Sequence, residues 1–162
     1  MFALNGMNDS IATKIDKNEE FDNCMLTGPV MEGTGKHTIS MKLGRGDAEH
    51  MGIFCGVARD GVACDECHVG DQDETEAWYM DCVFGDLYGN GKFNADRACE
   101  IEDGQVLTVQ VDLDAGTLKF WVDGKPHGPS WTSGVTGRLR WATSVYKKGN
   151  TVQIVPTPLD ND

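Results

Sequence analysis

The sequence predicts an all-β fold, an antiparallel sandwich of two sheets, on three observations. Leu107, Val109, Val111 and Leu113 alternate with Thr108, Gln110 and Asp112, and Leu118, Phe120 and Val122 alternate with Lys119 and Trp121. A period of two gives a strand one apolar and one polar face. The two runs are bounded by Asp114-Ala115-Gly116 and Asp123-Gly124. Gly116 can take the positive φ of a bulged hairpin, and Asp-Gly is the favoured pair for a tight primed turn. Turn signals then recur at short spacing along all 162 residues, twenty of which are glycine, while few stretches carry a helical period. Residues 103–128 are therefore a β-meander whose apolar face needs a second layer to cover it.

The remaining elements follow in chain order. Residues 1–22 are polar and acidic, with a weak alternation of Ile11, Thr13 and Ile15 that reads as a short edge strand. Cys24 to Leu26 reads as another, ended by Thr27-Gly28-Pro29. His37, Ile39, Met41 and Leu43 alternate with Thr38, Ser40 and Lys42, which predicts a half-buried strand. Met51 to Ala58 is apolar on both faces, with Gly52 and Gly56 permitting close backbone approach, and reads as a central strand. Residues 59–76 form the longest polar interval, and a loop of that length is functional or mobile. Ala77 to Phe84 returns to strand character. Gly85 to Lys92 reads as a pair of turns around Leu87-Tyr88, and Phe93 to Glu102 as a polar connection. Pro129 to Gly137 is irregular, with Trp131 buried. Arg138–Val145 and Thr151–Val155 supply the last two strands around a Lys147-Lys148-Gly149-Asn150 turn. One domain over residues 23–156 is expected, preceded by the 1–22 segment and followed by a polar tail, 157–162.

A formal charge of −12 and a pI near 4.6 argue against a nucleic-acid partner, which needs clustered Lys and Arg, and against an anionic membrane surface. The bland account of the charge is a solvated surface. The N-terminus lacks a basic region and a long apolar run, and no stretch is long enough to span a bilayer. Six cysteines are not spaced as a secreted disulfide framework, and Cys55 and Cys82 sit in apolar runs where a free thiol acts as a small hydrophobe. An intracellular protein, cytoplasmic or nuclear, is the expectation.

Several motifs together resemble one family. They are Gly35-Lys36-His37, Met51 to Val57, Ala77-Trp78, Leu87-Tyr88-x-x-Gly91-Lys92, and Asp112-Leu-Asp-x-Gly116-Thr-Leu-x-Phe120-x-Val-Asp-Gly124, closed by Leu139 to Val155. In this order, over roughly residues 33 to 156, the chain resembles a SPRY domain, most closely the SPRY-domain substrate receptors of ubiquitin ligases. The resemblance implies a bent, concanavalin-like antiparallel sandwich, no enzymatic activity and no cofactor. It also implies a partner that is another protein, held by a short segment in loops at one end. Tyr88 matches a tyrosine that lines the pocket in the receptor subset. That subset carries Val-Trp-Gly after the penultimate strand; here the run is Val145-Tyr146-Lys147-Lys148-Gly149, so the tryptophan is missing and a residue is inserted. The departure speaks against the Asn-rich target motif of those receptors. No ligase-recruiting segment follows the last strand, so a substrate-adaptor role for this chain by itself is not expected.

The partner-binding candidates are Tyr88, Asp86, Asn90, Tyr146 and Lys147. Tyr88 lies among turn glycines, where an amphipathic ring makes a peptide anchor, or else packs its own hairpin. Asp86 and Asn90 could bond a peptide backbone or close the turns themselves. Trp78, Trp131, Trp141 and Phe120 read as core, and Trp121, which alternates away from Phe120, as a residue of an outer face, of a surface under the N-terminal segment or of an interface. Cys64-Asp-Glu-Cys67-His68 has the spacing of a haem attachment site, or of zinc ligands completed by Cys55 or His50, but a single C-x-x-C is a weak signal and two free thiols in a solvated loop suffice. Asp71-x-Asp73-x-x-Glu76 would have to serve any glycosidase or calcium reading. Asp112-x-Asp114-x-Gly116 mimics part of a calcium loop, yet a hairpin explains those residues. Three functions remain at this stage: a module binding a peptide or loop of another protein, a docking brick in a larger assembly, and a lectin or glycosidase suggested only by architecture.

Overall fold

The computed structural model describes residues 2–5, 11–14, 24–61, 76–89, 92–94 and 99–157. They form two antiparallel sheets and no helix. The seven-stranded sheet runs in the order β1 (Phe2–Asn5), β2 (Ile11–Lys14), β13 (Thr151–Val155), β4 (Lys36–Gly44), β9 (Val106–Asp112), β10 (Thr117–Val122), β11 (Lys125–Pro126). The six-stranded sheet runs β3 (Cys24–Met31), β12 (Leu139–Val145), β5 (Ile53–Arg59), β6 (Ala77–Asp81), β7 (Leu87–Gly89), β8 (Lys92–Asn94).

The alternation in the meander becomes the layer contact. Leu107, Val109 and Val111 of β9 and Leu118, Phe120 and Val122 of β10 face inward with Ile39, Met41 and Leu43 of β4. They meet Ile53, Cys55 and Val57 of β5, Trp78 and Met80 of β6, and Trp141 and Val145 of β12. Each large apolar side chain so buried stabilises the fold by roughly 1.5–3 kcal/mol. The opposite face of the seven-stranded sheet stays polar: Ser40 bonds Thr108 across β4–β9 at 2.8 Å, and Gln110 donates to Thr38.

The turns are held by their own acids. Asp123 and Gly124 both have positive φ, at 48° and 77°, as a primed two-residue turn demands. The Asp123 carboxylate accepts from the Val106 N–H and the Gln105 amide. Asp112 accepts from the Asp114 and Ala115 N–H groups, and Asp114 from the Gly35 N–H. The Asp112 carboxylate is thus engaged in closing the hairpin, and that of Asp114 in tying it to the turn before β4.

Several elements differ from the sequence reading, among them the strand expected over Ala77 to Phe84, which ends at Asp81 and turns at 82–84. β3 does not end at Thr27-Gly28-Pro29 but continues to Met31, with a register shift against Leu139 and Trp141 of β12. β3 is the edge of its sheet, where a proline is tolerated, and Gly28 bulges at φ 72°. The stretch from Gly85 to Lys92 is not a pair of turns, since Leu87–Gly89 is a strand paired to both β6 and β8. β8 occupies the start of the expected polar connection. At the N-terminus, β2 is not the sheet edge, because β1 pairs outside it.

The loops after β4, β6, β10 and β12 and those before β5, β7, β9 and β13 gather at one end of the sandwich. Backbone bonds tie them together: Tyr146 N–H to Gly52 O, Cys82 N–H to Ile53 O, Ile101 N–H to Cys82 O, and Gly104 N–H to Leu43 O. The buried Asn150 amide donates to Arg45 O and His50 O, fastening two more of them.

Candidate functional site

The site is built on the outer face of the six-stranded sheet where it meets these loops. Residues paired directly across an antiparallel sheet share a face. Phe54 of β5 is opposite Asp81 of β6 and Ser144 of β12, and Tyr79 of β6 is opposite Gly56 and Tyr88. All therefore point away from the core, as do Arg140 and Ala142 of β12. The floor beside them is made of small residues, Gly56, Ala58, Ala77 and Ala142. Gly56 has no alternative there, because a Cβ would overlap the Trp78 carbonyl.

Phe54 is the hub. Its ring meets Tyr88 edge-on, with centroids 5.8 Å apart and planes at 79°, and meets Tyr146 at 5.8 Å and 41°. An edge-to-face pair contributes about 0.5–1.5 kcal/mol beyond its buried area. Phe54 itself is buried, whereas Tyr88 and Tyr146 are half-buried against it. The Lys147 ammonium lies 5.6 Å from the Tyr146 ring centroid. Gly52 seats this pair: a Cβ there would lie 2.5 Å from Lys147 Cγ and 2.9 Å from Tyr146 Cζ. Phe84, in the β6–β7 turn, is 49 % exposed.

Beside the rings lie two carboxyl groups that are almost shut from solvent, Asp81 at 4 % and Asp86 at 2 % exposure. Asp81 Oδ1 accepts from the Val83 N–H at 2.8 Å, and its own N–H donates to Asp86 O. Burial pushes the Asp81 carboxyl up to about 6; the Val83 and Phe84 N–H groups pull the other way, and Asp86 and Glu100 add to the rise. Next to Glu100 a cavity of about 320 Å³ opens, lined in part by Glu102, Gln105, Lys125 and His127. Burial lowers the His127 pKa, which keeps the imidazole neutral.

Four of the five predicted partner-binding residues come together here: Tyr88, Asp86, Tyr146 and Lys147. Asn90 lies outside the described residues. Tyr88 stands on a strand rather than in a loop, so the site extends from the end of the sandwich onto its outer face. Phe54, Tyr79 and Asp81 were not foreseen. Both β5 and β6 are buried on both faces, so no alternation marked which residues point outward. Cys64, Cys67 and His68 lie outside the described residues, as do Asp71 and Asp73. Glu76 is 4.0 Å from the Arg59 guanidinium. Cys55 is unsuited as a fourth zinc ligand for that loop, because its thiol is buried in the core. Burial and the Cys55 thiol beside it hold the Cys82 thiol well above its ordinary value, hence unreactive.

The architecture is two stacked antiparallel sheets with loops gathered at one end. The SPRY domain family matches residues 37–157, and the chain belongs to that family. Its structure is similar to the SPRY domain of human HERC1, with a TM-score of 0.75 at 19% identity, covering 98% of this chain and 94% of that one. It is also similar to the TRIM65 PSpry domain, with a TM-score of 0.69 at 14% identity, covering 96% and 86% of the two chains. A third likeness is a human SPRY domain, with a TM-score of 0.65 at 14% identity and 95% and 96% coverage. No curated protein matches the chain. SPRY domains are generally non-enzymatic protein–protein interaction modules.

Proposed function

We propose that this chain binds a short segment of another protein through the Phe54–Tyr88–Tyr146 surface and the loops beside it, without doing chemistry on it. One observation carries the reading. Aromatic rings that are half exposed and held rigid by packing against a buried neighbour are the usual anchors of an interface. Tyr88 and Tyr146 are in that state on a face whose other apolar residues are mostly buried. Replacing Tyr88 by a photoreactive phenylalanine analogue tests it. Light should crosslink one discrete partner, and an excess of unmodified chain should compete the crosslink away, whereas a Tyr88→Ala competitor should not. Equal competition by both would overturn the reading.

The docking-brick alternative drew in part on the acidic tail, of which 158–162 lie outside the described residues, and in part on Trp121. That ring is half-buried, opposite Pro126 and Thr108 on a face otherwise polar, so it does not form part of a broad apolar patch.

A further inference from the structure

Resting on that reading, we infer that the segment recognised at this site is basic: it sets an arginine or lysine beside the Tyr88–Tyr146 surface, next to an apolar anchor. Three independent features converge on this. The first is the pair of carboxyls at the foot of the rings. Asp81 is opposite Phe54 in the sheet, and Asp86 sits in the turn that returns to Tyr88. Neither needs to touch the partner, because charges embedded in protein are poorly screened and project their field toward the nearest exposed surface.

The second is the charge of the whole end. Among the described residues, the loops gathered there, with Asp81, carry eight carboxylates, Asp47, Glu49, Asp86, Glu100, Glu102, Asp103 and Asp123 being the others, against Arg45, Lys125, Lys147 and Lys148. The ion pairs Arg138–Glu32, Arg138–Asp60, Arg59–Glu76 and Lys36–Asp112 all lie at the opposite end. The third is that a ring of the site already takes a cation: the Lys147 ammonium lies over Tyr146. A second cation over Tyr88 would meet the same attraction from the ring face, reinforced by the carboxyls behind it. Phe84, exposed in the same turn, offers the apolar contact beside it. An acidic segment would instead face this field with no compensating charge, which costs affinity and slows encounter.

Panning the full chain against displayed random short peptides supplies the probe. Enriched peptides, made synthetically, are titrated against wild type, Tyr88→Ala and Asp81→Asn. The expected result is peptides with Arg or Lys within about two residues of an aromatic or aliphatic side chain, the spacing over which neighbouring side chains on an extended segment fall on one site. Citrulline in place of that arginine, or norleucine for lysine, should weaken binding by about tenfold. Asp81→Asn should weaken it by about fivefold while leaving the fold intact, a combination that loss of structure would not give. Peptides that need Tyr88 yet lack a basic residue, or ignore its neutralisation, would overturn the inference and leave the site standing. Peptides indifferent to Tyr88→Ala, or no enrichment at all, would count against both.

Discussion

Tyr88 contributes both to packing and to the exposed surface, so its replacement has two readouts. Its ring packs edge-on against Phe54. Tyr88→Ala should therefore lower stability by about 1 kcal/mol, a loss of a few degrees in Tm, while removing partner binding. Thermal melts beside the crosslinking assay separate the two effects, and a variant that fails to fold would show Tyr88 to be structural. Asp81 gives a sharper test, because its sign is fixed. Its carboxyl is at about 6 in the fold against 3.8 as the ordinary value. The folded state thus prefers the protonated form. Its contribution is most favourable below the ordinary value and is lost as pH rises through the window from about 4 to 6, at a total cost of about 2–3 kcal/mol. Asp81→Asn, which can still accept from the Val83 N–H, should be more stable than wild type at neutral pH and close to it near pH 4. Urea melts at the two pH values check this. An equal difference at both would mean that ionisation of Asp81 is not the cause.

Among elements, the turn after β12 depends on a glycine in a different loop. Gly52 has an ordinary φ, so its role is space alone: Tyr146 and Lys147 lie against it. Gly52→Ala should push both side chains outward at a cost of about 1–3 kcal/mol and weaken partner binding. A double change with Lys147→Gly should recover part of the stability, since Lys147 Cγ is the nearer contact. Differential scanning calorimetry of the single and double variants measures this, and no recovery would place the strain on the Tyr146 ring. Elements with one wet face were legible beforehand. Val106–Asp112 and Thr117–Val122 were bounded by Asp-Gly chemistry and patterned with period two, and they match the expected meander. Elements buried on both faces were legible as strands but not as surfaces, which is why Phe54, Tyr79 and Asp81 were missed, whereas Tyr88, Asp86, Tyr146 and Lys147 were picked out by the turn glycines and the family resemblance. The continuation of β3 through Pro29 was illegible for another reason. Whether a proline breaks a strand depends on its being at the sheet edge, a fact of topology that the local residues do not encode.

At the scale of the whole molecule, one continuous core joins the two sheets, with Trp78, Trp131 and Trp141 buried in it and Trp121 half-buried outside. Unfolding should therefore be a single transition, with tryptophan fluorescence and far-ultraviolet circular dichroism giving the same urea midpoint. Separated midpoints would mean that one sheet outlives the other. The order of the strands carries a last consequence. β12 lies between β3 and β5, and β13 lies between β2 and β4. Strands made early in synthesis are thus joined only by strands made late. A nascent chain still on the ribosome, with residues beyond 138 not yet emerged, has open edges on β5 and β4 that are ready templates for pairing with other polypeptides. Its release into a finished state waits for the last two strands to slot home, and a premature stop before them would yield a product destined for chaperones and proteases.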